Sequence, residues 1–182
     1  MEALKLERTY TYEEWLAMDD DVRSELLHGV IYMMASPSYS HQKVSMELSR
    51  QLSNFLVGKV CEVFSAPFDV RLYKKGDTVL QPDIVVVCDK SKLNSKGCEG
   101  APDLVIEILS PTTASYDQVT KFNEYLKAGV LEYWIVDPDA KVLIVYRLKN
   151  DSYIANTYGE ADTAPVGVLP GCTIDLALIF QE

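Results

Sequence analysis

Apolar residues along the chain recur in two rhythms, one helical and one extended. Val44, Leu48, Leu52 and Phe55 fall on one face of a helix expected from His41 to Phe55, with Lys43, Glu47 and Arg50 on its wetter surface. A second helix is expected over Ala114 to Ala128, burying Val119, Phe122 and Leu126 and stopped by Gly129. Thr11 and Glu14 have the spacing of a capping box and announce a short helix over Tyr12 to Met18. Extended character is expected over Leu26 to Met34, and over Cys61 to Ala66 and Phe68 to Tyr73 as adjoining strands around Pro67. Ile84 to Cys88, Leu104 to Leu109 and Leu131 to Val136 look more deeply buried. Val142 to Leu148 and Tyr153 to Tyr158 form a hairpin around Lys149 to Ser152, and a last edge strand is expected over Ile174 to Phe180. Lys90 to Pro102 reads as a connection. The expected fold is a mixed α/β (α+β) arrangement: a curved mixed sheet, flanking helices and a C-terminal hairpin, in one domain spanning 1–182.

Charge narrows the range of functions. The 182 residues carry 17 Lys and Arg against 27 Asp and Glu, a formal net charge of -10. A chain this acidic does not hold nucleic acid through a continuous positive surface, although a local or metal-assisted site stays open. No run of about 18 apolar residues marks a membrane span. The start, Met1 to Arg8, lacks the apolar core of a secretion signal, so cytoplasmic residence is the expectation. Cys61, Cys88, Cys98 and Cys172 show no CxxC pair and are expected to be reduced, buried thiols.

The carboxylates inside apolar stretches need a reason. Asp83 stands at the mouth of Ile84-Val85-Val86-Val87, and Glu107 interrupts Leu104-Val105-Ile106-Glu107-Ile108. A buried carboxylate is costly unless it is paired, protonated or bound to a cation. Strand alternation puts Asp103 and Glu107 on one face, and Asp83 can meet Glu107 across neighbouring strands. The residues alone leave two readings, an active or metal site and a set of strand-end caps and ion pairs.

The order of these blocks resembles the Uma2-like nuclease family within the PD-(D/E)xK superfamily. The resemblance is carried by Glu25-Leu26-Leu27-His28-Gly29, Pro37 with His41, Gln81-Pro82-Asp83 and Glu107-Ile108-Leu109-Ser110-Pro111. Asp117, Lys121, Tyr125, Gly129-Val130 and Glu132 to Pro138 follow in the same order. It implies a restriction-endonuclease-like core, a metal-binding pair at Asp83 and Glu107, and phosphodiester hydrolysis. The lysine of a compact Glu-x-Lys motif is missing, since position 109 is Leu109. The family pattern supplies Lys121 from the next helix instead, with Asp117 and Tyr125 one turn to either side. Read without the resemblance, Lys121 serves equally well as a partner of Asp117 on a wet helix face.

The chemistry so implied is hydrolysis with Mg²⁺, or Mn²⁺, held by Asp83, Glu107 and the Ile108 backbone carbonyl. Lys121 would orient the nucleophile or stabilise phosphate charge. Glu25, His41, Asp103, Asp117 and Tyr125 are accessory candidates, while Ser110 and Thr113 read as turn residues. DNA is the expected partner ahead of RNA, with a partner protein or a homodimer as further expectations. The competing function is a nuclease-derived binding or interaction domain using Lys74, Lys75, Lys90, Lys92 and Lys96 as a phosphate path.

Overall fold

A computed structural model describes residues 8–18, 23–111 and 114–181. Helix α1 (Tyr12–Leu16) precedes strands β1 (Ser24–Leu27) and β2 (Val30–Met33), and the long helix α2 (Tyr39–Leu56) follows. Next come β3 (Glu62–Ser65), β4 (Val70–Arg71), β5 (Val79–Leu80), β6 (Ile84–Val87), β7 (Leu93–Asn94), β8 (Gly97–Glu99) and β9 (Leu104–Ile108). A π-helical segment, Tyr116–Lys121, runs into α3 (Phe122–Ala128). The chain continues through β10 (Glu132–Asp137), β11 (Val142–Lys149), β12 (Ser152–Gly159), β13 (Thr163–Pro165), β14 (Thr173–Asp175) and α4 (Leu176–Ile179). The mixed α+β class and the hairpin of β11 with β12 agree with the pattern of the sequence.

Two six-stranded sheets organise the fold, in the orders β12-β11-β10-β9-β6-β3 and β2-β1-β5-β4-β8-β7. In the first, β9 and β10 run parallel, joined by the crossover that carries α3, while β6 pairs antiparallel with β9. Side-chain alternation divides β9 between two cores. Leu104, Ile106 and Ile108 pack in a cluster with Val44, Leu48 and Leu52 of α2, and Trp134 joins them from β10. Val105 and Leu109 look the other way, into a cluster with Tyr125 and Tyr133.

The helix boundaries have local causes. The Ser38 side chain accepts from the His41 backbone N–H and starts α2 two residues earlier than expected. Thr11 and Glu14 form the expected capping box of α1. Gly129 ends α3 in the left-handed region, φ 83°, where a side chain is disfavoured.

Several expectations need correction. The stretch from Leu26 to Met34 is a hairpin, because His28 and Gly29 both take positive φ and turn the chain back. Gly29 is also tightly enclosed, since a Cβ there would stand 2.9 Å from that of Thr9. The segments on either side of Pro67 are not partners: β3 belongs to one six-stranded sheet and β4 to the other. Lys90 to Pro102 contains a 3-10 turn and the small hairpin of β7 and β8. The C-terminal segment pairs only through β14, then closes as α4 with Asp175 as its N-cap. Cys61 and Cys88 are joined in a disulfide, because the register Glu62↔Val87 brings them opposite one another on β3 and β6. Cys98 and Cys172 are free and buried, as expected. Among the described residues, no helix is long and apolar enough to cross a membrane.

Candidate active site

Asp83 and Glu107 converge because of the β6–β9 register. Ile84 pairs with Ile106, so one step along the ladder Asp83 comes to face Glu107. Asp83 Oδ2 accepts from the Ile108 backbone N–H at 2.8 Å and lies 3.1 Å from His41 Nε2. That contact is available because Ser38 starts α2 where it does, placing His41 in the first turn.

The π-helical segment supplies the other half. Asp117 and Lys121 are both buried there, whereas Val119 is 58% exposed. The expected apolar face over Val119 is therefore wrong: the helix turns its charged stripe inward, and Glu124 and Tyr125 extend that stripe along α3. Wide π turns recur at functional sites, and this one brings Asp117 and Lys121 to one point. Lys121 Nζ lies 2.8 Å from Glu25 Oε1, 2.9 Å from Glu107 Oε1 and 3.6 Å from Asp117 Oδ1. Tyr125 Oη donates to Glu107 Oε1 at 2.8 Å. Glu25 Oε1 also accepts from the Gln81 backbone N–H at 2.8 Å. Its second oxygen, Oε2, is buried with no hydrogen-bond partner among the described residues.

Charge and burial pull against each other here. Burial pushes Lys121 towards the neutral amine, but Glu107, Glu25 and Asp117 more than offset it and hold the ammonium well above its ordinary range. Burial raises the Glu107 carboxyl well above its ordinary value, opposed by Lys121 and reinforced by Asp117, Asp83 and Glu25. Burial lowers His41, yet the hydrogen bond and charge of Asp83 lift it overall. Four carboxylates thus share one site with Lys121 and His41, so negative charge is in excess even with both cations protonated.

Asp83, Glu107, Asp117, Lys121 and His41 line the floor of a cleft of about 720 Å³, with Glu25 buried behind them. Met33, Met34 and Pro37 line one side, Ser45, Met46 and Ser49 of α2 line another, and Arg23 stands at the wall. Arg23 donates through Nε and Nη2 to Gln81 Oε1, both at 3.2 Å. Arg23, Gln81 and the serines of α2 were not anticipated as site residues, since nothing in their local spacing separates them from an ordinary surface. The Glu25-to-Gly29 block gave a signal for Glu25, which the structure places at the centre of the cluster, fully buried.

Asp103 does not join this group. Its Oδ2 accepts from the Cys88 backbone N–H at 2.7 Å, tying the end of β6 at the far end of β9, roughly 13 Å along the strand from Glu107. Lys74, Lys75, Lys90, Lys92 and Lys96 are absent from the cleft lining; Lys90 pairs with Glu62, and Lys92 donates to the Ala101 carbonyl. Thr113 lies outside the described residues. Among the described residues, no three His, Cys, Asp or Glu side chains are grouped as a ready-made metal cage.

Two acids on adjacent strands, a lysine from the crossover helix and a mixed sheet behind them place the molecule in the restriction-endonuclease-like fold class. A crystal structure described as a "putative nuclease belonging to DUF820" from Anabaena variabilis ATCC 29413 shares this fold with a TM-score of 0.77. The match covers 93% of this chain and 97% of that one at 22% identity. The chain belongs to the Uma2 family, described as "Putative restriction endonuclease", which it matches over residues 9–177. Two relatives from Synechocystis sp. (strain ATCC 27184 / PCC 6803 / Kazusa) bear the name uncharacterized protein. The protein slr1290 is 31% identical, the match covering 76% of this chain and 74% of its own length. The protein sll1609 is 29% identical, with 70% and 74% covered.

Proposed function

We propose that the protein is a metal-dependent endonuclease that hydrolyses a phosphodiester bond of DNA, with Asp83, Glu107 and Lys121 at its centre. The observation that carries the reading is their convergence at the floor of an open cleft, where the sheet register and the π-helical turn bring them from three separate segments.

The donor set suits a hard cation. Mg²⁺ characteristically takes one or two carboxylates and completes its shell with water and substrate phosphate, a number of ligands that Asp83 and Glu107 would supply. Asp83 and Glu107, with the Ile108 carbonyl, would hold Mg²⁺, and Mn²⁺ in its place. The excess negative charge gives the same direction, since a divalent cation offsets what Lys121 and His41 leave over. When bound, the ion supplies Lewis acidity and makes a bound water a better nucleophile.

The remaining work falls to the protein. Lys121 holds Glu107 and Glu25 in place and would bring a buried positive charge close to the developing phosphate charge. Tyr125 fixes the Glu107 carboxylate from the opposite helix turn, and Asp117 adds a third acid beside the ammonium. His41 and the Ile108 N–H orient Asp83 through one oxygen.

The test is cleavage of DNA and RNA, single- and double-stranded, with Mg²⁺ or Mn²⁺, beside Asp83→Asn and Glu107→Gln proteins whose folding has been verified. DNA cleavage that needs the metal and is lost in both variants is expected. Activity no greater than that of either variant across the panel would sink the assignment and leave a nuclease-derived binding domain.

A further inference from the structure

The walls of the cleft bear on which form of nucleic acid reaches the acids at its floor. A volume of about 720 Å³ is within the roughly 300–1,000 Å³ that encloses a small molecule, the scale of a nucleotide or two. Its cations are few. Lys121 is occupied by three carboxylates and His41 by Asp83, so Arg23 is the remaining positive side chain in the lining. Its guanidinium bonds a neutral amide oxygen, and it forms no ion pair among the described residues. A duplex presents a charge about every 1.7 Å along its axis and is held by many cations. One arginine among acids, in a chain of net charge -10, is a poor grip for it.

The walls offer different chemistry. Met33 and Met34 stand on the β2 side, and Met46 at the α2 side is 70% exposed despite being apolar. Polarizable thioethers make favourable contacts with flat aromatic rings, and enzymes that do chemistry on an unstacked base seat it between aromatic or apolar side chains. Two polar atoms of the lining residues, Ser49 Oγ and His41 Nδ1, are buried with no hydrogen-bond partner among the described residues. Buried polar atoms are seldom left so, and the Ser49 hydroxyl suits a base edge or a sugar oxygen once its side chain rotates towards the cleft.

We propose that the cleft takes single-stranded DNA, with one unpaired base seated between the methionines of the β2 side and the serine-bearing face of α2. Arg23 holds a neighbouring phosphate. This substrate class rests on the nuclease reading above, because the strand so placed runs over Asp83 and Glu107.

Binding tests the inference separately from catalysis. Fluorescence anisotropy in EDTA compares one labelled oligonucleotide as a single strand, as a blunt duplex and as the ribo-oligonucleotide of the same sequence. The single DNA strand should bind at least about tenfold tighter than the duplex. Its salt dependence should correspond to about one or two phosphates, a slope near -1 in log K against log salt. Met34→Asp should erase the preference, while Arg23→Gln should flatten the salt slope and keep the preference. Equal or tighter binding of the duplex, a slope of many phosphates, or tighter binding of the RNA overturns the proposal. Cleavage with Mg²⁺ then separates the two readings. A duplex cut faster than the single strand removes the substrate class and leaves the nuclease standing. Single-strand binding with no cleavage sensitive to Asp83→Asn removes the nuclease, and with it the claim that the bound strand is a substrate.

Discussion

Strand β9 shows the same backbone solving two opposite problems. On one side Leu104, Ile106 and Ile108 meet α2 in a cluster of apolar side chains. On the other, Glu107 shares its face with Val105 and Leu109, yet its contacts are Lys121 and Tyr125. The first face stabilises by removing apolar surface from water, a contribution that grows with area and depends little on which apolar residue supplies it. The second gains little net stability, because desolvating charges costs about what their attraction returns. Its members depend on one another: remove one and its partners are left charged and buried. A face that is expensive to keep and specific in its partners is where chemistry is expected to reside.

The largest expected break in this comparison is catalytic. Glu107→Gln should lower kcat by about 100-fold or more, and because Glu25 and Asp117 still face Lys121 and the amide oxygen still accepts from Tyr125, its cost in urea unfolding should stay below that of Lys121→Ala. Next is Lys121→Ala, which leaves Glu25, Glu107 and Asp117 without their cation. A loss of about 3–5 kcal/mol in urea unfolding is expected, and a loss below about 1 kcal/mol would mean that water already reaches these acids. On the apolar face, Leu48→Ala should cost about 2–5 kcal/mol while the folded fraction keeps its kcat. Equal loss of turnover there would show that the two faces are not separable.

A pH series gives a smaller effect with a definite sign. Glu107, His41 and Lys121 all have raised values in the folded protein. The stability each contributes is complete below its unfolded value, about 4.3, 6.5 and 10.4 in turn, and fades as pH climbs through the folded one. Thermal stability in EDTA should therefore fall as pH rises above about 4.3 for Glu107 and above about 6.5 for His41, with Lys121 adding to the decline only above about 10.4. Mg²⁺ should restore more of it at the alkaline end, since ligands bind metal deprotonated. A flat profile would place the acids in water. The smallest change expected is for Asp103→Asn, about 1 kcal/mol from the weakened bond to the Cys88 N–H, with turnover unaffected.

How far the chain could be read follows from what each signal depends on. The core stripe of α2 and the β11–β12 hairpin came through because they rest on local periodicity and turn chemistry, whereas the facing of Asp83 and Glu107 depends on the β6–β9 register. The inward stripe of α3 did not come through. Apolar Val119 at helical spacing pointed to burial, but a π turn changes the phase of the helix, and only the cluster of Glu25, Glu107 and Asp117 around Lys121 explains why that turn is favourable. The Cys61–Cys88 pair was hidden for a related reason: a separation of 27 residues says nothing until the register of β3 on β6 is known.

By itself, then, the sequence determined the class of fold and the family and nominated the acids and the lysine as candidates, since these depend on residue type and order. The tertiary structure decided which of them meet. It put Glu25 at the centre, left Asp103 tying a strand end, and set Arg23, the methionines and the serines of α2 around one cleft. Those outcomes depend on strand register and on one wide helical turn, and both are settled by contacts between segments far apart in the chain, where no local pattern records them.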